Sequence, residues 1–292
     1  MNLVITTTVR RSARGETTGH VLTVDMEKWA VTGRCPFANP AYLEYDQNPR
    51  GGLRGAKGIV VVDDHVWIAN SSHVRQYDLS WRLLQSVTHP ACSLIHDIAW
   101  HEGTLWVTSA GNDALLQFDR DGRLLSFIDC YAQAAQLRPL RLPPSPVRDP
   151  ADFLSGRIDY RDPRTHNPAT SERLHANSLC FLPGGDLLVS LGRITSRRMF
   201  LLWKLKAAMA RAGVWVWFAD LNKALCRVLK RAPVAHSEML AIPGSYKCAL
   251  MRLPPGGKPA VLLQIPHTLV PCHTLRPLTD GTVLYANTHT GE

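Results

Sequence analysis

Four positions carry side chains able to bind protons, metals or anions, and they fall at one place in a repeated pattern: Lys57, His96, Asn177 and His273. Each is followed two residues later by an aliphatic side chain, respectively Ile59, Ile98, Leu179 and Leu275. In an extended strand that spacing puts all four on the same side, and His175, two residues before Asn177, shares it. Imidazole nitrogens and an amide oxygen brought together form a ligand set for a divalent cation, with His96, Asn177 and His273 as the ligands. Such an ion lowers the pKa of a bound water and polarises a carbonyl or phosphoryl oxygen. His175 then serves as a further ligand or as an acid/base group, and Lys57 holds an anionic substrate group or an oxyanion. Two other readings stand beside this one. The polar groups can bridge waters and backbone in a narrow channel where Lys57 repels a cation, or the histidines can work as acid and base without metal.

The elements that must position these residues repeat. KGIVVVDDHVWIANSSHVRQYDLSWRLLQSV (57–87) lies over HDIAWHEGTLWVTSAGNDALLQFDRDGRLLSFI (96–128), with Lys57 over His96 and Trp67 over Trp106, both 39 residues apart. Each copy reads as four strands: an alternating run, a polar turn (DD, HEG), a second strand, a third ending in Asp, and a fourth. HANSLCFLPGGDLLVSLG (175–192) and HTLRPLTDGTVLYANTHTGE begin two further copies, each with a turn one residue longer. The later strands of the 175 copy come as KCALMRL and AVLLQIP, after an insertion of about fifty residues. LVITTT, GHVLTVD and WAVTGR resemble strands two to four of a blade, Asp25 and Trp29 echoing Asp78 and Trp81. Radial repetition of four-stranded units is the signature of an all-β propeller, with five blades, or six as the alternative, in one domain over 1–292. The N-terminal strands are expected to close the ring on the blade begun at His273.

First strands line the axis of a propeller, so the matched residues converge there. Links between blades, and links between strands two and three, then lie at the same mouth. That places the inter-blade insertion 131–174 and the basic insertion 194–246 over it, with Asn70, Asn112, Arg193, Asn287 and His289 around the rim as substrate contacts. The 131–174 stretch, rich in Pro, Arg and Asp, reads as an extended solvated loop, with Arg157, Asp159, Tyr160 and His166 as weaker candidates.

The net charge of +9 is concentrated rather than spread. Ten Lys or Arg and one acid fall between Arg193 and Arg231, leaving the remainder balanced. SRRMFLLWKLKAAMARAGVWVWFADLNKALCRVLKRAP reads as two short amphipathic helices around Gly213, ended by Pro233. Over 194–232 this segment is a helical hairpin with a solvated basic face, a substrate lid, or a contact for a membrane surface or lipophilic ligand. Nucleic acid is set aside because no RNA- or DNA-binding motif accompanies the charge. Seven cysteines without a CxxC pair, several inside apolar runs, read as buried thiols, and the N-terminus lacks the order of a secretory signal. A cytoplasmic protein is the corresponding expectation, with a peripheral membrane location through the basic hairpin as the alternative.

HDIAW, HANSL with PGGDLLVS, and CHTLRPL with DGTVLYAN resemble the repeating units of the propeller group that includes NHL-repeat proteins, regucalcin and gluconolactonase, and peptidylglycine amidating lyase. The resemblance covers about two thirds of the chain. In the amidating lyase, first-strand histidines hold zinc, and His96 and His273 match such positions; in the lactonases an asparagine in a similar unit helps hold calcium, and Asn177 matches it. Lys57 stands where a lactonase carries a metal-binding acid, which favours zinc or iron over calcium. The expectation is therefore a metal-assisted hydrolase, lyase or isomerase acting on a small or lipophilic substrate at the channel mouth. The alternative is a non-catalytic scaffold that binds a membrane or protein partner through its basic insertion.

Overall fold

The computed structural model of the protein describes residues 2–9, 16–37, 41–42, 45, 55–144, 149–166, 172–195, 246–268 and 271–286, with scattered positions between 200 and 228. These residues form five antiparallel sheets in chain order. The first holds β1 (Asn2–Thr6), β2 (His20–Asp25) and β3 (Ala30–Pro36). Three four-stranded sheets follow: β4 (Ile59–Val62) to β7 (Leu83–Thr88) through β5 (His65–Ala69) and β6 (His73–Asp78); β8 (Ile98–His101) to β11 (Leu124–Asp129) through β9 (Thr104–Ser109) and β10 (Ala114–Phe118); and β12 (Ala176–Phe181) to β15 (Ala260–Thr268) through β13 (Leu187–Thr195) and β14 (Tyr246–Leu253). The last pairs β16 (His273–Pro277) with β17 (Val283–Ala286).

Local chemistry accounts for these units. Asp63 and Asp64 join β4 to β5 with φ of 48° and 59°, and Glu102 and Gly103 join β8 to β9 with 47° and 76°. Two successive left-handed residues are what a two-residue hairpin turn needs to match the strand twist. The aspartate ending the third strand caps the next turn. Asp78 Oδ1 accepts from the N–H of Ser80 (3.0 Å) and Arg82 (2.9 Å), and Asp25 Oδ1 accepts from those of Glu27 (2.9 Å) and Lys28 (3.2 Å). β1 to β3 thus repeat strands two to four of a blade.

The sheets stack side by side through apolar faces. Val21, Phe37, Ile68 and Tyr77 join the first two; Trp67, Val74, Ile98, Leu116 and Phe118 the next pair. Leu115, Leu179, Val189 and Met251 join the third and fourth, and Cys180, Leu188 and Leu275 the fourth and fifth. The first strands β4, β8, β12 and β16 adjoin one another in that order, as the inner strands of propeller blades do. Closure differs from the expectation: β1–β3 and β16–β17 are separate sheets, each packed on its neighbour in sequence, and no pairing between them occurs among the described residues.

The 131–174 stretch is more ordered than an extended loop. Asp129 and Asp149 accept the N–H groups of Ala132 and Ala151 and so start the short helices α1 (Cys130–Ala135) and α2 (Pro150–Ser155). Leu140, Phe153 and Leu174 from this stretch are fully buried between sheets. Of the basic insertion, 200–201, 204–205, 208–209 and 228 are helical, and Phe200 lies 5.0 Å under the Arg173 guanidinium; the rest lies outside the described residues, as does Cys226. Among the described residues the other six cysteines form no disulfide. Among the described residues no helix is long and apolar enough to cross a membrane.

One buried imidazole ties stability to pH. His73 is held by Asn70 Nδ2 (3.0 Å) and Arg75 Nε (3.1 Å) at its Nε2, and burial, then Arg75 and Arg161, push its pKa down to about 4. The unfolded chain therefore binds a proton between pH 6.5 and about 4 that the folded chain refuses. Stability from this residue is complete above pH 6.5 and lost as the pH falls to about 4, at most about 3 kcal/mol. Thermal unfolding followed across that range should show the midpoint falling with pH, and His73→Asn should lessen the slope by the share of this residue.

Candidate functional site at the propeller axis

The approach to the axis is set by a buried carboxylate. Asp97, 3% exposed, begins β8; its Oδ2 accepts from Ser178 Oγ on β12 and from Arg276 Nη1 on β16 (3.2 Å), and Ser178 Oγ accepts the Leu275 N–H at 2.9 Å. Three first strands are locked in register by this chain of bonds. His96 and Asn177, one residue before Asp97 and Ser178, and His273, two before Leu275, are thereby carried to one place, and Thr108 Oγ1 fixes the start of β8 by accepting the N–H of His96 (3.1 Å) and Asp97 (2.9 Å).

Two irregularities then turn the side chains. The β12–β13 register shifts between Ala176 and Ser178, and the β16–β17 register shifts between His273 and Leu275. Bulges of this kind re-aim side chains beside functional sites. His175, at φ 50°, occupies the left-handed region just before β12, where a non-glycine residue needs surrounding structure to hold it. That support is visible: Asp113, fully buried, accepts the N–H of Arg173 at Oδ2 and of Leu174 at Oδ1 (3.1 Å), fixing the loop on which Glu172 and His175 stand.

The outcome is a cluster of three imidazoles. His96 and His175 have ring centroids 4.8 Å apart, His96 and His273 5.7 Å, and His175 and His273 5.9 Å; one nitrogen of each lies within 4.8 Å of the others. Burial first, then Lys57 and the other imidazoles, lowers His96 well below its ordinary value. Burial, His175, Lys57 and Arg193 bring His273 down to about 4. At neutral pH these two rings are uncharged.

The proton positions differ across the cluster. Glu172 Oε1 lies 2.7 Å from His175 Nδ1 and 2.7 Å from Arg193 Nη2. Burial opposes ionisation of Glu172, but His175 and Arg193 outweigh it and hold its carboxyl at about 2. An ionised carboxylate only accepts, so His175 carries a proton on Nδ1, and the neutral ring presents a lone pair on Nε2. At His273 the polarity is reversed. Asn177 Nδ2 donates to the Cys272 carbonyl at 2.8 Å, which fixes the amide with its nitrogen end inward, and the same nitrogen lies 2.8 Å from His273 Nδ1. His273 Nδ1 therefore accepts, and its proton sits on Nε2. Gly192 makes room for this contact, since a Cβ there would collide with the Asn177 amide and the Cys272 carbonyl. Asn177 Oδ1 is buried with no protein partner.

The residues singled out in the sequence are distributed as follows. His96, His175 and His273 come together with Asn177 against His273, and the Lys57 charge is felt at His96 and His273. Arg193 reaches the site through Glu172. In place of a rim role, Asn70 and Asn112 are fully buried caps: Asn70 Oδ1 accepts from Ser72 and His73 N–H, and Asn112 Nδ2 donates to the Ala91 carbonyl at 3.0 Å. Asn287 and His289 lie outside the described residues. Arg157 pairs with Asp152, Asp159 binds Arg161 and the Tyr42 hydroxyl (2.9 Å), and Tyr160 stacks on His166. Glu172 was not read from the sequence, although its spacing of three from His175 was the available signal.

No protein-family model and no curated protein matches the chain. Solved structures to which it is similar include virginiamycin B lyase from Staphylococcus aureus in a catalytically inactive form with quinupristin, at 9% identity and TM-score 0.39, covering 91% of this chain and 62% of that one. Glutaminyl cyclase from Myxococcus xanthus has 12% identity and TM-score 0.35 over 64% of this chain and 67% of that one. The Neurospora crassa Pan2 WD40 domain has 12% identity and TM-score 0.32; the chain spans 34% of its length, and 44% of this chain is covered. Likenesses of this size bear on neither reaction nor ligand.

The opposed tautomers are open to direct measurement. Long-range ¹H–¹⁵N spectra at neutral pH should show His175 protonated on Nδ1 and His273 on Nε2, and Glu172→Gln should weaken the preference at His175 alone.

Proposed function

We propose that the chain is an enzyme acting on a small substrate at the axial mouth, in a lyase, hydrolase or isomerase reaction, with His175 as the base and His273 as a neutral hydrogen-bond donor. The observation that carries this is the pair of opposed tautomers in one imidazole cluster: a lone pair on His175 Nε2 beside an N–H on His273 Nε2. His175 Nε2 takes a proton from a substrate carbon or from an attacking water, and the Glu172 carboxylate stabilises the imidazolium that forms. The His273 N–H binds the oxygen on which negative charge develops, without giving up its proton, because a neutral imidazole is a donor and not a strong acid. Lys57 supports the same charge. The proton then passes from His175 to the leaving group or the product, restoring the neutral ring.

A second reading, favoured by the three imidazole nitrogens within 4.8 Å, places a zinc- or iron-class ion at the cluster. His96 and His175 would hold it, with His273 as third ligand, and when bound it would supply a Lewis acid and an activated water. Ligand nitrogens around tetrahedral zinc stand about 3.4 Å apart, so the rings would draw together. His273 would also have to lose its Nε2 proton, or Asn177 would have to turn its oxygen toward the Cys272 carbonyl. The unpartnered Asn177 Oδ1 is the feature that speaks for a cation. Resemblance to the regucalcin, gluconolactonase and amidating lyase group supports a metal as well, through HDIAW, HANSL and CHTLRPL.

Elemental analysis for zinc, iron, manganese and calcium, with a panel of ester, lactone, lyase and isomerase substrates, tests both. Metal-free protein should turn over a substrate, and His175→Ala should lower kcat/KM by roughly 10²–10⁴ with the fold intact. Near-stoichiometric metal lost in His96→Ala would shift the reading to the metal centre. Turnover unchanged in both His175→Ala and His273→Ala would end both.

A further inference from the structure

The cleft between β4–β7 and β8–β11 opens at the end of the strands away from the histidines. Lys57 and His96 precede β4 and β8, whereas Asp63 and His101 sit at their opposite ends, roughly 16–20 Å away along each strand. A cavity of about 290 Å³ lies there. Its floor is the pair Trp67 and Trp100, with ring centroids 5.4 Å apart and planes tilted by 36°. Trp67, Gln76 and Gln85 are cross-strand neighbours on β5, β6 and β7, so all three face the cleft.

Polar capacity in this cavity is unspent. Trp67 is 2% exposed, and among the described residues its indole N–H has no acceptor and the Gln76 amide has no partner at either end. Gln85 uses its Nε2 on the Arg120 carbonyl at 2.8 Å and keeps its oxygen. The next blade is an internal comparison. There Trp106 and Gln117 hold the equivalent places, and Gln117 is consumed by Thr104 (3.2 Å) and Ser126 (2.7 Å). The open amide at Gln76 is therefore not a requirement of the blade architecture. At the rim Asp63 and Arg120 pair at 2.9 Å, with Arg120 5.7 Å from the Trp100 ring, and Asp121 lines the same edge.

We propose that this cavity binds one neutral, polyhydroxylated ring, a pyranose sugar. Indole rings suit the apolar C–H face of such a ring. The Gln76 amide and the Gln85 oxygen suit neighbouring hydroxyls, each able to donate and accept. An anionic ligand would have to break the Asp63–Arg120 pair to gain a partner and would face Asp121 as well. The volume sits at the small end of ligand sites, roughly 300–1,000 Å³, which fits a single ring better than a lipid tail or a peptide.

Titration of the full chain with glucose, galactose, mannose and N-acetylglucosamine, read by tryptophan fluorescence and saturation-transfer NMR, tests this, with glucose 6-phosphate and choline as charged probes. At least one neutral pyranose should saturate with a Kd of about 1 mM, weakened about tenfold or more in Gln76→Ala and unchanged in His175→Ala. Gln76 is half-buried on a strand face, and its variant should keep the thermal midpoint of the parent. No saturation by any neutral sugar, tighter binding of a charged probe, or binding indifferent to Gln76→Ala would overturn the proposal.

Discussion

Everything at the axis depends on the Asp97 carboxylate. A buried anion is tolerated only when its lone pairs are met, and Asp97 is met by the backbone N–H of Ile98, the hydroxyl of Ser178 and the guanidinium of Arg276. Burial pushes its carboxyl up, Arg276 and Ser178 work against that, and the balance holds only while three blades keep one relative height. A slip of one residue in β12 or β16 would strand the carboxylate and also turn every core side chain of that strand outward. The relation among His96, Asn177 and His273 is thus a by-product of satisfying a charge one to three residues further along each strand.

A second buried acid finishes what the first begins. Asp113 takes the N–H groups of Arg173 and Leu174, and this leaves Glu172 facing inward, where Arg193 and His175 neutralise it. The two acids act in sequence: one fixes strands, the other fixes a loop. Carboxylate and amide then impose opposite tautomers on His175 and His273, and Lys57 adds a positive potential that keeps His96 and His273 neutral. Low local dielectric strengthens each of these hydrogen bonds and penalises any that is lost, so the cluster is rigid because it is buried.

The repeat and the matched positions were legible because blades must bury their faces on each other, which forces periodic apolar residues and periodic turns. What failed to show was side-chain direction at the irregular points. Alternation places Asn177 in line with His96, but bulges at Asn177 and beyond His273 break the alternation and turn the amide onto its neighbour. His175 enters the cluster through a left-handed backbone that no pattern of apolar residues announces. Asn70 and Asn112 stand at strand ends where an exposed polar residue was the natural reading; local backbone donors and acceptors claimed them instead. Glu172 and Asp113 belong to loops, whose hydrogen-bond partners are chosen by tertiary contact. The polar residues directly after the matched positions, Asp97 and Ser178, held a further signal: an acid and a hydroxyl within apolar strands need each other.

A purely structural plug would be built differently. Nearly all buried polar groups in folded proteins find a partner, so a channel filled only for stability should leave none open. Here Asn177 Oδ1 is buried without one, and two neutral imidazoles are held beside a lysine that makes protonating them harder. Each arrangement is worse for stability than an apolar or fully paired substitute of the same size. The same features are useful if a third body enters the cluster, since a preset lone pair, a preset N–H and an unspent carbonyl need no rearrangement to meet it. Other buried polar atoms without a partner lie on Thr18, Trp106, Asn112 and Arg252, but at the axis the open oxygen stands next to the imidazole cluster, where a single ligand could meet several groups at once.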